Sequence, residues 1–361
     1  MGCPRRGDLR QLFMMSRDKT EMRLSFRPAL CLLAATCLTA ALPSASRAES
    51  VTGAGSSFAA PIYEAWGETA KTAAGVTVNY QSGGSSAGQN QVLAGTVDFG
   101  ASDAPMDAKK IEAASLFQFP TVMGGIVPVV NIPGMKADTL RLSGAVLAGI
   151  YAGEITEWND PKIAALNPGV KLPDMPVAPV HRADGSGTTF VFTSYLAGSS
   201  ASWHDSLGAS TSISWPGGLG ARGNDGVAAT VQNTEGAIGD VEYAYASRNH
   251  LTTVKLHNRA GEDVAANQTS FAHAAEAADW QHASHFAVNL LDTAGKGAWP
   301  IVSATYVLTP IAPKNAARGE AVRSFFTWAF EKGDATAQKL DYVALPQSVK
   351  TSILSAWKSA K

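Results

Sequence analysis

Apolar and polar positions alternate along the chain in patterns that predict strands and helices in turn. Val51-Thr52-Gly53 predicts a short strand running into the loop Gly53-Ala54-Gly55-Ser56-Ser57-Phe58. A helix follows, with Pro61 in its first turn, where a missing N–H costs nothing. Ile62, Trp66, Ala70 and Ala73 hold its apolar stripe, and Gly75 ends it. Val76–Tyr80 alternates as a second strand, and Ser82-Gly83-Gly84-Ser85-Ser86 forms a second Gly/Ser loop. A short helix to Ala94 leads to a strand at Val97-Asp98-Phe99 and a third polar loop, Gly100-Ala101-Ser102-Asp103. Recurring strand, polar loop and helix predict an α/β fold with a mostly parallel sheet. Such sheets bind ligands at the carboxyl ends of their strands, where these loops gather.

Gly124–Ile132 is apolar and extended, with Pro128 and Pro133 as punctuation, and predicts a strand leaving a first domain. A helix near Ser143–Ile150, a strand at Val177–His181, a Gly-rich loop at Gly217–Gly226 and a buried strand at Ala237–Tyr245 predict a second. Tyr306–Ile311 is the return crossing. Val322, Phe325, Phe326, Ala329 and Phe330 mark a helix stopped by Gly333, and Val349, Ile353, Ala356 and Trp357 mark another. Trp66, Trp328 and Trp357 fall on these stripes and are expected in the core. The expected organisation is a leader over 1–48, domain I over 49–130 plus 306–361, and domain II over 131–305. Two extended crossings allow two such domains to bend about a hinge and close on a ligand.

The N-terminus changes this picture by subtraction. Arg23 and Arg27 precede an apolar run, Ala29–Leu42, and Ser46-Arg47-Ala48 supplies small residues before a predicted cut after Ala48. That is a secretory signal peptide, its apolar run too short to span a bilayer. Met15 or Met22 would be a more usual start than Met1. Cys3, Cys31 and Cys37 all lie in this leader, so the mature chain is expected to be exported without disulfides. A lipid anchor at Cys37 is disfavoured, because Thr36 precedes it and the apolar run continues past it. The full chain has 29 basic and 30 acidic residues; removing the leader's eight and three leaves 21 and 27, a net charge of −6. An acidic surface disfavours nucleic acid and anionic membrane as partners. Any anion site must then work through local donors.

The heptad Arg182-Ala183-Asp184-Gly185-Ser186-Gly187-Thr188 offers such donors: a permanent cation, hydroxyls, and glycines ahead of a helix predicted to begin near Thr188. First-turn amides lack intrahelical partners, and with an Arg fork they suit a tetrahedral oxyanion. Ser56-Ser57-Phe58 and Ser85-Ser86 also precede helices, and Asp103 ends a strand loop. Taken singly, each hydroxyl also reads as an N-cap, Arg182 as half of a structural ion pair, and Asp103 as a turn residue. The heptad is not a P-loop, since no Lys follows Gly187, and Gly53-Ala54-Gly55 lacks the third glycine of a dinucleotide fingerprint. Enzyme signals are weak. No HExxH is present, Gly185-Ser186-Gly187 lacks nucleophile-elbow spacing, and His282 and His285 read as a surface pair without nearby carboxylates.

Five longer stretches carry a resemblance. Gly53-Ala54-Gly55-Ser56-Ser57-Phe58, Asp98-Phe99-Gly100-Ala101-Ser102-Asp103-Ala104-Pro105, Phe117-Gln118-Phe119-Pro120-Thr121, the Arg182–Thr188 heptad and Gly223-Asn224-Asp225-Gly226-Val227 resemble the periplasmic phosphate-binding proteins of ABC import systems. The likeness runs from about Val51 to Trp357. It implies a two-domain, Venus-flytrap fold that buries one dehydrated phosphate between its domains. By motif it implies phosphate ligands at Ser57, Phe58, Ser85, Asp103, Arg182, Ser186, Gly187 and Thr188, with Asp184 orienting Arg182. Ser57 stands where the family often has Thr, and Ser82-Gly83-Gly84 and Ala87 also depart from common forms. The implied partners are inorganic phosphate and an inner-membrane permease with its ATPase, with no cofactor, no metal and a monomeric state. Arsenate, sulfate or molybdate binding is the alternative within the class. A secreted phosphatase, or a sensor or adhesin with a further domain, are the alternatives outside it.

Overall fold

The long strand Leu116–Val130 is the spine on which the rest of the fold is ordered. Fourteen of its fifteen residues are buried, so it reads as a continuous apolar run. Along 116–125 it pairs antiparallel with Val302–Pro310; along 126–130 it pairs antiparallel with Ala237–Glu242. The partner thus changes between Gly125 and Ile126, where the Ile126 N–H bonds the Ile301 carbonyl. The computed structural model describes residues 49–276, 278–280 and 282–359, and the predicted leader lies outside them. Among the described residues no helix is long and apolar enough to cross a membrane.

The sheet is mixed. On one side of the spine the order outward is Val302–Pro310, Phe99–Ser102, Glu49–Gly55 and Val76–Gln81, the last three mutually parallel. On the other side it is Ala237–Glu242, Ala178–Arg182 and Leu219–Ala221, also parallel to one another. Helices connect the parallel strands, as the alternation of patterns predicts. The fold is therefore α/β.

The first helix, Ala60–Ala73, carries Pro61 in its first turn and buries Ile62, Tyr63, Trp66 and Ala70. Tyr63 makes an edge contact with Phe326 of the helix Ala316–Lys332, which ends at Gly333 as predicted. Trp357, on the C-terminal helix Gln347–Ser359, packs 4.6 Å from Phe119 between ring centroids. Trp66 and Trp357 are buried, and Trp328 is half-buried at the edge of the same cluster. The helix Ser85–Ala94 has little apolar surface but lies directly on the sheet. A Cβ on Gly88 would come within 2.6 Å of the Ala101 carbonyl oxygen. That contact brings Ser85 down beside Asp103.

Three predicted elements differ from the structure. Gly100-Ala101-Ser102 is strand rather than loop, because Val307 and Leu308 complete its ladder, and the expected strand at Val97-Asp98-Phe99 begins only at Phe99. The Gly217–Gly226 loop contains a strand, Leu219–Ala221, and the start of a helix, Gly223–Asn233. Ala237–Tyr245 is strand only to Glu242, whose side chain caps the helix Tyr243–Arg248.

Candidate functional site

Four strand ends and four helix starts meet at one place. The strand Glu49–Gly55 delivers Ser56-Ser57-Phe58, Phe99–Ser102 delivers Asp103, Ala178–Arg182 delivers Arg182, and Leu219–Ala221 leads to Asn224. Ser56, Ser57, Phe58, Ser85, Asp103, Arg182, Ser186, Thr188 and Asn224 are each at most 4% exposed. Burying so many polar groups is costly unless each finds a partner.

Asp103 is the most densely partnered. Ser56 Oγ donates to its Oδ1 at 2.6 Å and to Oδ2 at 2.8 Å, Thr305 Oγ1 donates to Oδ1 at 2.6 Å, and Ser85 Oγ donates to Oδ2 at 3.3 Å. Burial pushes its carboxyl above the usual carboxylate range, while the Ser56 and Thr305 hydroxyls, the Arg182 charge and Ser85 oppose that rise.

Arg182 faces it from the other half of the sheet. Its Nε and Nη2 donate to Asp184 Oδ1 and Oδ2 at 2.7 and 2.5 Å, a bidentate fork that fixes the guanidinium plane. Asp184 also accepts from the Gly223 N–H at 3.1 Å. Burial raises the Asp184 carboxyl, but the bonds and charge of Arg182 outweigh it and hold the group below its usual range. Arg182 Nη1 is turned to Thr188 Oγ1 at 3.4 Å. Ser186 is the N-cap of the helix Gly187–Ser199, its Oγ accepting from the Thr189 N–H. The capping alternative for this hydroxyl is thus realised, and the Gly187 and Thr188 amides of that first turn have no carbonyl one turn back to receive them.

The two walls touch. The Ser86 N–H donates to the Gly185 carbonyl at 3.0 Å, Tyr245 Oη donates to the Ser57 carbonyl at 2.7 Å, and Ser86 Oγ meets Thr211 Oγ1 at 3.0 Å. A Cβ on Gly187 would lie 2.6 Å from Asp103 Oδ2. Only glycine fits there.

Asn224 has no role in the motif-based ligand set, yet it organises the hydroxyls. Its backbone N–H and Nδ2 both donate to Ser57 Oγ, at 3.3 and 2.9 Å, and Nδ2 also donates to Thr188 Oγ1 at 3.3 Å. Its own Oδ1 accepts from the Glu242 N–H. Ser57 and Thr188 oxygens are thereby used as acceptors, leaving each hydroxyl its proton to donate. The Gly-rich segment around Asn224 is a visible signal in the sequence; nothing in the sequence marks Thr305, which is 202 residues from Asp103.

Two further acids line the strand beside this site. Asp240 is 1% exposed and its Oδ2 has no hydrogen-bond partner; Glu242 is fully buried and its Oε1 has none. Burial pushes Asp240 up to about 7 against the opposing Arg182 charge, and burial pushes Glu242 well above its ordinary value. The native state therefore holds a proton on Asp240 at pH values where the unfolded chain has lost it, between the ordinary 3.8 and about 7. Stability from this group falls as pH rises through that window. Asp240→Asn should raise the midpoint of thermal unfolding at pH 8, by on the order of 4 kcal/mol in stability, and the gain should shrink toward pH 5. A pH-independent gain would show that charge burial is not its source.

Among the described residues no group of three or more His, Cys, Asp or Glu is placed to hold a metal ion. His282 and His285 do have carboxylates nearby, contrary to expectation: Asp279 lies 2.8 Å from His282 Nδ1, and Glu112 lies 3.8 Å from His285 Nε2. Asp279 stands three residues before His282, so the first pair is visible in the spacing, whereas Glu112 reaches His285 from a distant helix that spacing does not reveal. Both pairs are surface features. His181, next to Arg182 in sequence, stacks on Trp215 instead of entering the site.

Known proteins place the chain. Residues 40–332 match the family model of the PBP superfamily domain. The phosphate-binding protein PstS of Xylella fastidiosa (strain Temecula1) is 45% identical over 319 residues, covering 88% of each chain. That of Pasteurella multocida is 46% identical over 314 residues, covering 87% of this chain and 91% of its own. In fold, the chain is similar to a high affinity periplasmic phosphate-binding protein (PfluDING) solved with phosphate bound. The TM-score is 0.68 at 19% identity, over 85% of this chain and 93% of that one. It is similar too to a phosphate binding protein from Stenotrophomonas maltophilia, with a TM-score of 0.67 at 19% identity, over 85% and 94%. By a family match over most of its length and by relatives this similar, the chain belongs to the PstS family of phosphate-binding proteins within the PBP superfamily.

Proposed function

We propose that the protein binds inorganic phosphate in the periplasm and delivers it to an inner-membrane ABC permease, without chemical turnover. The observation that carries this reading is a buried carboxylate, Asp103, set opposite a buried guanidinium, Arg182, among hydroxyls poised to donate. Arg182, the Gly187, Thr188 and Phe58 amides, and the Ser57, Ser85, Ser186 and Thr188 hydroxyls would hold the anion. Asp184 would keep the Arg182 fork aimed at it.

Asp103 selects the anion by what it refuses. An ionised carboxylate only accepts hydrogen bonds. Mono- and dibasic phosphate bring a proton to meet it; sulfate at neutral pH brings none. Two acceptors forced together in a dry site cost several kcal/mol, on the order of a thousandfold in affinity. Molybdate is disfavoured on the same ground. Arsenate carries a proton and passes this filter. A phosphatase reading would need a base on a nucleophile, and here the hydroxyls are held as donors with His181 turned away.

The change of strand partner at Gly125/Ile126 supports a hinge between the two expected domains, about five residues before the expected boundary at 130, since 126–130 pairs with Ala237–Glu242 of the second. Bonds such as Ser86 to Gly185 and Asn224 to Ser57 would form as the two close. The predicted leader supports a periplasmic location for the mature protein, whose acidic balance suits a small diffusing carrier.

Calorimetric titration of the mature protein at pH 7.5 should give saturable one-to-one binding of phosphate, and sulfate binding weaker by on the order of a thousandfold. Equal binding of the two anions, or none of phosphate, would overturn the proposal.

A further inference from the structure

Asp103 can reject sulfate only while it remains an acceptor, and the structure contains a device for that. Its two oxygens are not equivalent. Oδ2 is the one turned across the cleft, since a Cβ on Gly187 would sit 2.6 Å from it. Oδ1 faces the other way and receives Thr305 Oγ1 at 2.6 Å and the shorter arm of the Ser56 Oγ contact, 2.6 Å against 2.8 Å to Oδ2, while Oδ2 has only that longer arm and Ser85 Oγ at 3.3 Å. We infer that Ser56 and Thr305 are specificity-determining positioning residues, which lock Oδ1 and keep Asp103 ionised so that its Oδ2 accepts a proton-bearing anion and excludes sulfate. The inference rests on the phosphate-binding reading above and assigns it two residues outside the ligand set.

Thr305 reaches Asp103 because of a local irregularity. The ladder between Val302–Pro310 and Leu116–Val130 pairs Thr305 with Val122 but Tyr306 with Pro120, leaving Thr121 unopposed. A bulge of this kind re-aims the side chains beside it. Thr121 Oγ1 then donates to the Thr305 carbonyl at 3.1 Å and meets the Tyr63 hydroxyl at 2.7 Å, which braces the bulge from the first helix. Tyr306 pairs with Ser102, so Thr305 falls beside Asp103.

Hydrogen bonds to the charged form of an acid favour it, and burial opposes it. Removing either hydroxyl leaves burial less opposed, so Asp103 gains its proton at higher pH. A protonated carboxyl is a donor, and sulfate can then be accepted. The other groups that face Asp103 do not replace the lost bonds. Tyr63 is bound to Thr121, Tyr80 donates to the Ser56 carbonyl, Tyr306 is engaged with Val288 and Tyr342 donates to the Phe58 carbonyl. Burial pushes all four of these phenols above their ordinary value, which already lies above the neutral range. Glu242 and Asp240 are buried acids on the opposite wall, and Arg182 is the facing cation.

The test is titration of the mature protein and of Thr305→Val, Ser56→Ala and Thr305→Ser with phosphate and sulfate between pH 5 and 8.5. The first two variants should bind phosphate at pH 8 within about tenfold of wild type, and their sulfate affinity should rise about tenfold or more at low pH. The pH at which sulfate binding appears should move upward by about one unit, the equivalent of one such hydrogen bond. Thr305→Ser keeps the hydroxyl and should match wild type. Adding Asp103→Asn to Thr305→Val should remove the pH dependence of sulfate binding; if it persists, Asp240 or Glu242 is the titrating group and the inference fails. Equal loss of both anions, or an unchanged pH profile, would reduce Ser56 and Thr305 to structural residues. Failure of wild type to bind phosphate at all would instead bring down the functional reading, and this inference with it. Should Thr305→Val not fold, Ser56→Ala decides alone.

Discussion

Gly187→Ala should lower phosphate affinity by about a thousandfold and leave the fold intact. The added methyl carbon would lie 2.2 Å from Ser85 Oγ, 2.6 Å from Asp103 Oδ2 and 2.7 Å from Asp103 Cβ. Neither neighbour can yield, because Ser85 is fully buried, Asp103 is 1% exposed and the two are hydrogen-bonded to each other and to Ser56 and Thr305. The walls must therefore stand apart. The Ser86 to Gly185, Asn224 to Ser57 and Tyr245 to Ser57 bonds are lost with that displacement. At about 1 kcal/mol for each bond, and more for those made to the anion itself, the loss reaches roughly 4 kcal/mol, or about a thousandfold. The same substitution costs the isolated fold little. Gly187 opens a helix, its φ is not positive, and alanine is the better helix former. Thermal unfolding without phosphate should be unchanged or slightly raised, and the rise in midpoint on adding phosphate should vanish. A variant that binds phosphate as wild type does would show that the Gly187 backbone does not approach Asp103 in the bound state.

Asp103→Asn should admit sulfate, improving its affinity by on the order of a hundredfold or more, and should weaken phosphate. Ser56 and Thr305 both donate at the Oδ1 position, so an asparagine there keeps its carbonyl oxygen toward them. Its amide then points where Oδ2 points now, across the cleft at Gly187. A donor replaces an acceptor, and a fully ionised oxyanion becomes acceptable. The unliganded protein should also gain stability at neutral pH. Burial holds the Asp103 carboxyl above its ordinary value of 3.8, so the native state keeps a proton that the unfolded chain has already released. Wild-type stability therefore falls as pH rises through that interval, and the asparagine variant escapes the fall. Competition titration of sulfate against phosphate, with melting curves at pH 5 and pH 8, checks both consequences. Unchanged selectivity would remove Asp103 from the account of specificity.

The α/β class and most of the elements are legible in the chain because they depend on local spacing. Ser143 and Ser186 stand as N-caps where a hydroxyl precedes an apolar run, and Pro61 and Gly333 bound their helices where backbone geometry requires them. The Gly/Ser loops are found at strand ends for the same local reason. The elements that escape a periodic reading are those completed by distant partners. Gly100-Ala101-Ser102 has no strand-like composition and becomes strand because Val307 and Leu308 bond to it. Leu219–Ala221 is a strand only beside Val180–Arg182.

The division is the same at the site. Arg182, Ser186 and Thr188 lie within seven residues, and Asp184 falls two residues on, where its carboxylate can grip the guanidinium it follows. Sequence by itself determines that wall and the chemistry it favours, a tetrahedral anion. Tertiary structure alone decides the other. It sets Asp103 against Gly187, recruits Asn224 to turn the Ser57 and Thr188 hydroxyls outward, and uses a bulge at Thr121 to bring Thr305 onto Asp103 Oδ1. Attraction to an anion needs only donors close together in the chain. Discrimination between anions needs an acceptor fixed to within a few tenths of an ångström, and only groups arriving from several directions through a packed sheet can hold it there.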